Sequence, residues 1–232
     1  MTNIESTKTA PSGDATGTAK KRIFIVDDHP IVRQGLVQLV DSQADLCTCG
    51  QGEDVYQSLA GIRSTKPDLV LVDVSIKDGD GLELVKEIKS FDPTLRVLML
   101  SMHDEALYAE RALRAGASGY VMKQEAPQIL VGAMRKVMSG QVYVSEKMSA
   151  TLLQRMVGKK GASELPMDRL TDRELEVFRM IGSGQSVKEI AEKLCLSAKT
   201  VEAHREHIKE KLNLKSSAEL LRFAIQNSPD SR

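Results

Sequence analysis

Three carboxylates fall at the ends of two short apolar runs. Asp73 closes Asp68-Leu69-Val70-Leu71-Val72-Asp73, and Asp27-Asp28 follow Arg22-Ile23-Phe24-Ile25-Val26. Runs this short and this rich in β-branched residues read as parallel strands buried on both faces. Ligands of such sheets sit beyond the carboxyl ends of the strands. The three acids would meet at that rim, where their repulsion calls for a cation. An all-oxygen donor set suits Mg²⁺, which keeps several waters and binds phosphate oxygens. A carboxylate held against Mg²⁺ can attack a phosphoryl group and form an aspartyl phosphate.

The elements that must position these acids follow a regular alternation. Apolar runs at 22–26, about 46–50, 69–73, 96–100 and 119–122 alternate with amphipathic stretches at about 30–42, 53–65, 80–90, 105–115 and 126–139. Five strands, each followed by a helix, predict an α/β domain with a doubly wound five-stranded parallel sheet over residues 21–140. Pro30 and Pro127 stand where the first and last of these helices begin, and Asp92-Pro93 ends the third. Gly79 and Gly81 are expected to loosen the loop after Asp73. Residues 1–20 are small and polar and read as a disordered tail.

Residues 141–166 read as a linker with a helical part near 146–157 and a Gly-, Lys- and Ser-rich end. Beyond Met167 the strand signal stops. Capping boxes at Thr171 with Glu174, Ser186 with Glu189 and Ser216 with Glu219, and a single cap at Ser197, predict four helices. They lie near 172–182, 187–194, 198–212 and 217–227, an all-α domain over 167–228. The second and third are joined only by residues around Cys195-Leu196-Ser197, which is the spacing of a helix-turn-helix.

Bulk properties exclude rather than identify. The 232 residues suit two ordinary domains, and 41% hydrophobic content suffices for packed cores. Lys plus Arg equals Asp plus Glu at 32 each, so only local patches could mark a nucleic-acid partner. Cys47, Cys49 and Cys195 lack the spacing of a zinc site and read as reduced thiols of a cytoplasmic protein. The sequence contains neither a membrane-length apolar run nor a secretion signal.

Residues 21–140 resemble a two-component receiver domain. Asp27-Asp28 follow the first strand, Asp73 the third, Ser101 the fourth and Lys123 the fifth, with Tyr120 just before the lysine. The resemblance implies that Asp73 accepts a phosphoryl group from a sensor histidine kinase. Asp27, Asp28, Asp73 and the Ser75 carbonyl would hold Mg²⁺. Lys123 would give a fixed cation to the phosphoryl oxygens, and Ser101 a hydroxyl that turns inward with Tyr120 as the switch. Many receivers carry a small residue after the Ser/Thr. Met102 stands there in this chain and is expected to slow small phosphodonors or the access of water.

Residues 167–228 resemble the NarL/FixJ, LuxR-type DNA-binding domain. The resemblance lies in Leu170–Val177, Ser186–Ala191 and Ser197–His204. It implies a helix-turn-helix that binds double-stranded DNA, with Lys188, Lys199, Thr200, Glu202, Ala203, Arg205, Glu206 and Lys209 as interface residues. By their place in the motif, Glu202, Ala203 and Glu206 would face bases. Glutamate can accept from cytosine N4, and alanine can touch a thymine methyl. Arg205 and Lys209 would contact phosphates. Val201, His204, Ile208 and Leu212 share the face expected to pack inward. The acids on this helix offset its cations, so one domain should bind weakly. A homodimer formed on phosphorylation would then be the control point, with Leu220, Leu221, Ala224 and Ile225 as a candidate seam.

Two other functions compete. A phosphatase with an aspartyl nucleophile often has a second acid two residues on, but Ser75 occupies that place. A regulator working through protein contacts alone would also be compatible with the near-neutral third helix.

Overall fold

The computed structural model describes residues 19–76, 79–102, 105–157, 166–194 and 196–227. Most of the expected tail, residues 158–165 of the expected linker and Cys195 lie outside them. The α/β part contains β1 (Lys21–Val26), α1 (Pro30–Asp41), β2 (Leu46–Gly52), α2 (Val55–Thr65), β3 (Leu69–Asp73), α3 (Gly81–Phe91), β6 (Arg96–Ser101), α4 (Glu105–Ala115), β7 (Gly119–Met122) and α5 (Pro127–Met138). A two-residue antiparallel hairpin, β4 (Ser75–Ile76) and β5 (Gly79–Asp80), intervenes between β3 and α3.

The five long strands form a parallel sheet in the order β2-β1-β3-β6-β7, the doubly wound arrangement that the alternation predicts. Side chains alternate across it. Ile23, Ile25, Leu69, Leu71, Leu98 and Leu100 face α1 and α5, while Phe24, Val26, Val70, Val72, Val97 and Met99 face α2, α3 and α4. Each such side chain, fully buried, contributes about 1.5–3 kcal/mol of transfer free energy. Both faces are therefore anchored, and the strand ends are held where the acids emerge.

Gly79 and Gly81 do not loosen the loop. Neither has positive φ, and a Cβ on Gly81 would lie 2.1 Å from the Asp73 carbonyl oxygen. Gly81 donates its N–H to the Val74 carbonyl at 3.0 Å. Its lack of a side chain lets α3 begin directly beneath Asp73, which tightens the segment.

After α6 (Glu146–Val157) and a 3-10 turn at Pro166–Arg169 come α7 (Asp172–Gly182), α8 (Val187–Lys193), α9 (Ala198–Leu212) and α10 (Ser217–Gln226). Thr171 and Ser186 make reciprocal capping boxes with Glu174 and Glu189. The third expected box is only half formed. Ser216 accepts from Glu219 N–H, but Glu219 reaches back to the N–H of Lys215 instead. Val177, Phe178, Ile190, Val201, Ile208, Leu220 and Ala224 form the helical core. Leu220 and Ala224 are thus committed inward, and of the candidate seam only Leu221 and Ile225 are exposed.

The helical part touches the sheet domain on one side. Met148 of α6 is buried against α4, and the Arg111 guanidinium of α4 donates to the Leu170 carbonyl at the entrance to α7.

Candidate functional site

β1 and β3 are adjacent and end in register, Val26 beside Val72. This places Asp27 and Asp73 side by side at the carboxyl rim. β6 lies next to β3 and β7 next to β6, so Ser101 and Lys123 arrive at the same rim. The Lys123 N–H donates to the Ser101 carbonyl at 2.7 Å, fixing the start of the lysine loop. The Lys123 ammonium then donates to Asp27 Oδ2 at 2.6 Å and to Asp73 Oδ2 at 2.7 Å.

The cluster is buried. Asp27 is 0% and Asp73 4% exposed. Burial, the largest influence, pushes the Asp73 carboxyl up to about 6 against the opposing pull of Lys123. Burial also works to lower the Lys123 pKa, but the charges and hydrogen bonds of Asp73 and Asp27 outweigh it and raise it. Asp73 is therefore mainly ionised at neutral pH while remaining more basic than an ordinary aspartate.

Ligand atoms of Asp27, Asp28, His29 and Asp73 all lie within 4.8 Å of one another. One lysine cannot neutralise three carboxylates, and Asp28 Oδ1 is buried with no hydrogen-bond partner. Clustered carboxylates whose charge one lysine does not balance fit a hard divalent cation. Ser75 opens the hairpin directly beside Asp73 and is half-buried. Ser101 and Tyr120 are both 0% exposed. Tyr120 is held there by the core and by its N–H bond to the Tyr143 carbonyl at 2.8 Å. Met102, at the same rim, is 58% exposed.

The helix-turn-helix residues divide into two groups. Lys188, Lys199, Glu202, Ala203 and Glu206 are exposed. Thr200 is half-buried, its hydroxyl 2.8 Å from that of Ser197 at the helix cap. Arg205 and Lys209 are half-buried and pair with Glu202 and Glu206, one turn earlier, at 2.9 and 2.8 Å. Lys211 reaches across to α7 and donates to Glu174 at 2.6 Å. Val201 and Ile208 are buried as expected, and burial lowers the pKa of the half-buried His204.

Several residues make tertiary contacts that the sequence did not show. Glu174 is 3% exposed, caps α7 and receives Lys211. Arg173 pairs with Glu176 and donates to the Leu194 carbonyl in the turn before α9. Both Arg173 and Glu176 line a small cleft with Val74, Ser75, Ile76, Gly79, Asp80 and Tyr108, so α7 abuts the hairpin that follows Asp73. His29 adjoins the two acids in sequence, which was the one available cue.

Known proteins match the chain in both parts. Residues 23–135 match the response regulator receiver domain, and residues 168–224 match the bacterial regulatory proteins of the luxR family. The oxygen regulatory protein NreC of Staphylococcus carnosus is 36% identical over 210 residues, covering 88% of this chain and 97% of the relative. RcsB of Salmonella enterica serovar Typhimurium, solved bound to the promoter rprA with the phosphomimetic BeF3⁻, is 28% identical with a TM-score of 0.56, covering 89% of this chain and 98% of that one. A LuxR-family response regulator from Aurantimonas sp. SI85-9A1 is 32% identical with a TM-score of 0.56, covering 60% of this chain and 99% of its own.

Proposed function

Because the chain belongs to the NarL/FixJ (LuxR-type) family of response regulators, phosphorylation-controlled DNA-binding regulators of transcription, we propose that Asp73 is its phosphoacceptor. The observation that carries this is the convergence of Asp27, Asp28 and Lys123 on Asp73 in one buried pocket. Lys123 engages Asp73 Oδ2 and leaves Oδ1 to attack phosphorus. Asp27, Asp28, Asp73 and the Ser75 carbonyl would hold Mg²⁺, which supplies charge neutralisation on the transferring phosphoryl group. Lys123 would move with the reaction from the carboxylate to the phosphoryl oxygens. The buried Ser101 hydroxyl would complete their contacts, with Tyr120 packed behind it.

In this reading residues 21–140 receive the phosphoryl group, 141–166 link, and 167–228 bind DNA. Phosphodonor and target would be a sensor histidine kinase and double-stranded DNA in the cytoplasm, the protein itself not being an enzyme. No helix among the described residues is long and apolar enough to cross a membrane. The side chains of Glu202 and Glu206 are 52% and 60% exposed while the two parts touch through Arg111 and Leu170. That exposure favours control by pairing two chains over control by unmasking α9.

The test is incubation of the full chain with acetyl phosphate, with and without Mg²⁺. An acid-stable, base-labile adduct should form only with Mg²⁺ and be lost in Asp73→Ala, and it should raise both mass in sedimentation and DNA affinity. Wild-type labelling of Asp73→Ala would overturn the assignment.

A further inference from the structure

We propose that Glu105 is a positioning residue for output: its carboxylate on α4 fastens the start of α6 and so holds the helical domain in one orientation until Asp73 is phosphorylated. The inference rests on the phosphoacceptor reading above and adds the bond by which the resting orientation is kept.

The connection leaves the sheet along a fixed path. Tyr143 donates its N–H to the Ser118 carbonyl at 3.1 Å and accepts from the Tyr120 N–H at 2.8 Å. It thereby lies parallel beside Gly119 at the edge of β7. A Cβ on Gly119 would stand 2.6 Å from the Tyr143 carbonyl oxygen, so the close approach needs a glycine. Two residues on, the attachment changes. The Ser145 N–H donates to Glu105 Oε1 at 2.7 Å, a bond strengthened by the charge on the carboxylate. Ser145 in turn caps α6, its hydroxyl accepting from the Met148 N–H at 3.1 Å.

α4 therefore grips the connection between the domains at both ends. Glu105, in its first turn, holds the entrance to α6, and Arg111, six residues on, donates to the Leu170 carbonyl at the entrance to α7. Each charge meets the end of the peptide dipole that suits it. Tyr143 is tied to the sheet and Ser145 to a helix, so any shift of α4 along the sheet must be taken up between them. Glu105 stands four residues after Ser101, whose hydroxyl completes the phosphoryl contacts. Drawing Ser101 toward an aspartyl phosphate pulls on the start of α4, and the Glu105–Ser145 bond takes that strain. Its release frees α6 and lets two helical domains be set on neighbouring half-sites.

The experiment uses the full chain, beryllofluoride as the phosphoryl mimic, and a duplex that the loaded parent selects from a random DNA pool. Hydrogen exchange at the Ser145 N–H, read by NMR, should be slow in the resting chain and fast with beryllofluoride. In Glu105→Ala it should be fast in both states. Unloaded Glu105→Ala should bind the duplex about tenfold more tightly than the unloaded parent, and its gain on loading should shrink by the same factor. Glu105→Gln should behave as the parent, because its carbonyl still accepts from the Ser145 N–H. Acetyl phosphate should label both variants at the parent's rate. Ser145 exchange that beryllofluoride leaves unchanged, an unloaded Glu105→Ala chain no tighter than the parent, or slower labelling of that variant would each overturn the inference. So would Glu105→Gln behaving as Glu105→Ala, which assigns the effect to charge and not to the bond. Labelling of Asp73→Ala at the parent's rate would instead overturn the phosphoacceptor reading beneath it.

Discussion

Lys123 and Asp73 form a buried ion pair 2.7 Å long, and the same ammonium serves Asp27 at 2.6 Å. One cation answers two buried carboxylates, so the two partners of the pair are not equivalent. Lys123→Met strands both acids and should cost roughly 3 kcal/mol in the absence of divalent ions. Asp73→Asn removes the excess negative charge and should be neutral or stabilising while abolishing phosphorylation if Asp73 is the acceptor proposed above. Urea unfolding in chelator measures both. Equal losses in the two variants would show that this account of the cluster is wrong.

Gly81→Ala should disturb the site without touching any charge. The added Cβ meets the Asp73 backbone oxygen, which cannot swing aside as a flexible side chain could. A cost of about 1–3 kcal/mol and slower phosphorylation by acetyl phosphate are expected. A variant with unaltered stability and rate would show that α3 can retreat freely from Asp73.

Glu174 should make the helical domain sensitive to acid. Burial works to raise its pKa, but Lys211 and Thr171 outweigh burial and hold it below the ordinary 4.5. Its contribution is therefore full above pH 4.5 and is lost as pH falls below that through the folded-state value. Glu174→Gln should cost about 1–2 kcal/mol at pH 7, and the gap from the parent should close at lower pH. Melting curves between pH 3 and 7 decide this; a gap that widens on acidification contradicts it.

On α9, affinity and specificity should separate. Lys199→Ala should weaken binding to all sequences alike and reduce the salt slope by about 0.9. Arg205 and Lys209 must first leave their glutamates, and partly exposed pairs of this kind hold by less than about 1 kcal/mol. Glu202→Lys should change the preferred sequence, because lysine favours guanine where glutamate accepts from cytosine. Site selection from a random DNA pool is the measurement. An identical motif from Glu202→Lys and its parent would mean that Glu202 does not face a base.

Ile31 and Tyr56, 89% and 86% exposed, lie in the first turns of α1 and α2 at the carboxyl rim, as Met102 does at the end of β6. Apolar groups left in water beside a charged pocket suit a protein phosphodonor. Ile31→Glu should slow transfer from the kinase about tenfold and leave acetyl phosphate unaffected. Equal slowing with both donors would point to damage within the pocket.

The sheet was legible because strands buried on both faces leave unbroken apolar runs whose alternation with helices marks a parallel sheet, whereas the strand order left no such mark. The helix starts were legible because caps are local: Thr171, Ser186 and Ser197 announce them within three residues. The hairpin at Ser75–Asp80 was not, since two-residue strands leave no period to read. Nor could spacing show that Lys211 turns away to Glu174, or that Arg205 and Lys209 fold back on their own helix. Gly81 was visible but misread, because a close approach and a flexible turn leave the same letter.

The exposed edge of α9 bears on how the protein finds its sites. Glu202, Ala203 and Glu206 face solvent while Arg111 still holds the carbonyl of Leu170. Encounter with the duplex should then not wait for a signal, and the unphosphorylated chain should already sample the genome by brief, one-handed visits. What phosphorylation changes would be dwell time: a second chain on the neighbouring half-site slows escape without speeding arrival. Single-molecule tracking on stretched DNA would show lengthened residence at constant arrival rate, and the reverse pattern would argue for a masked helix.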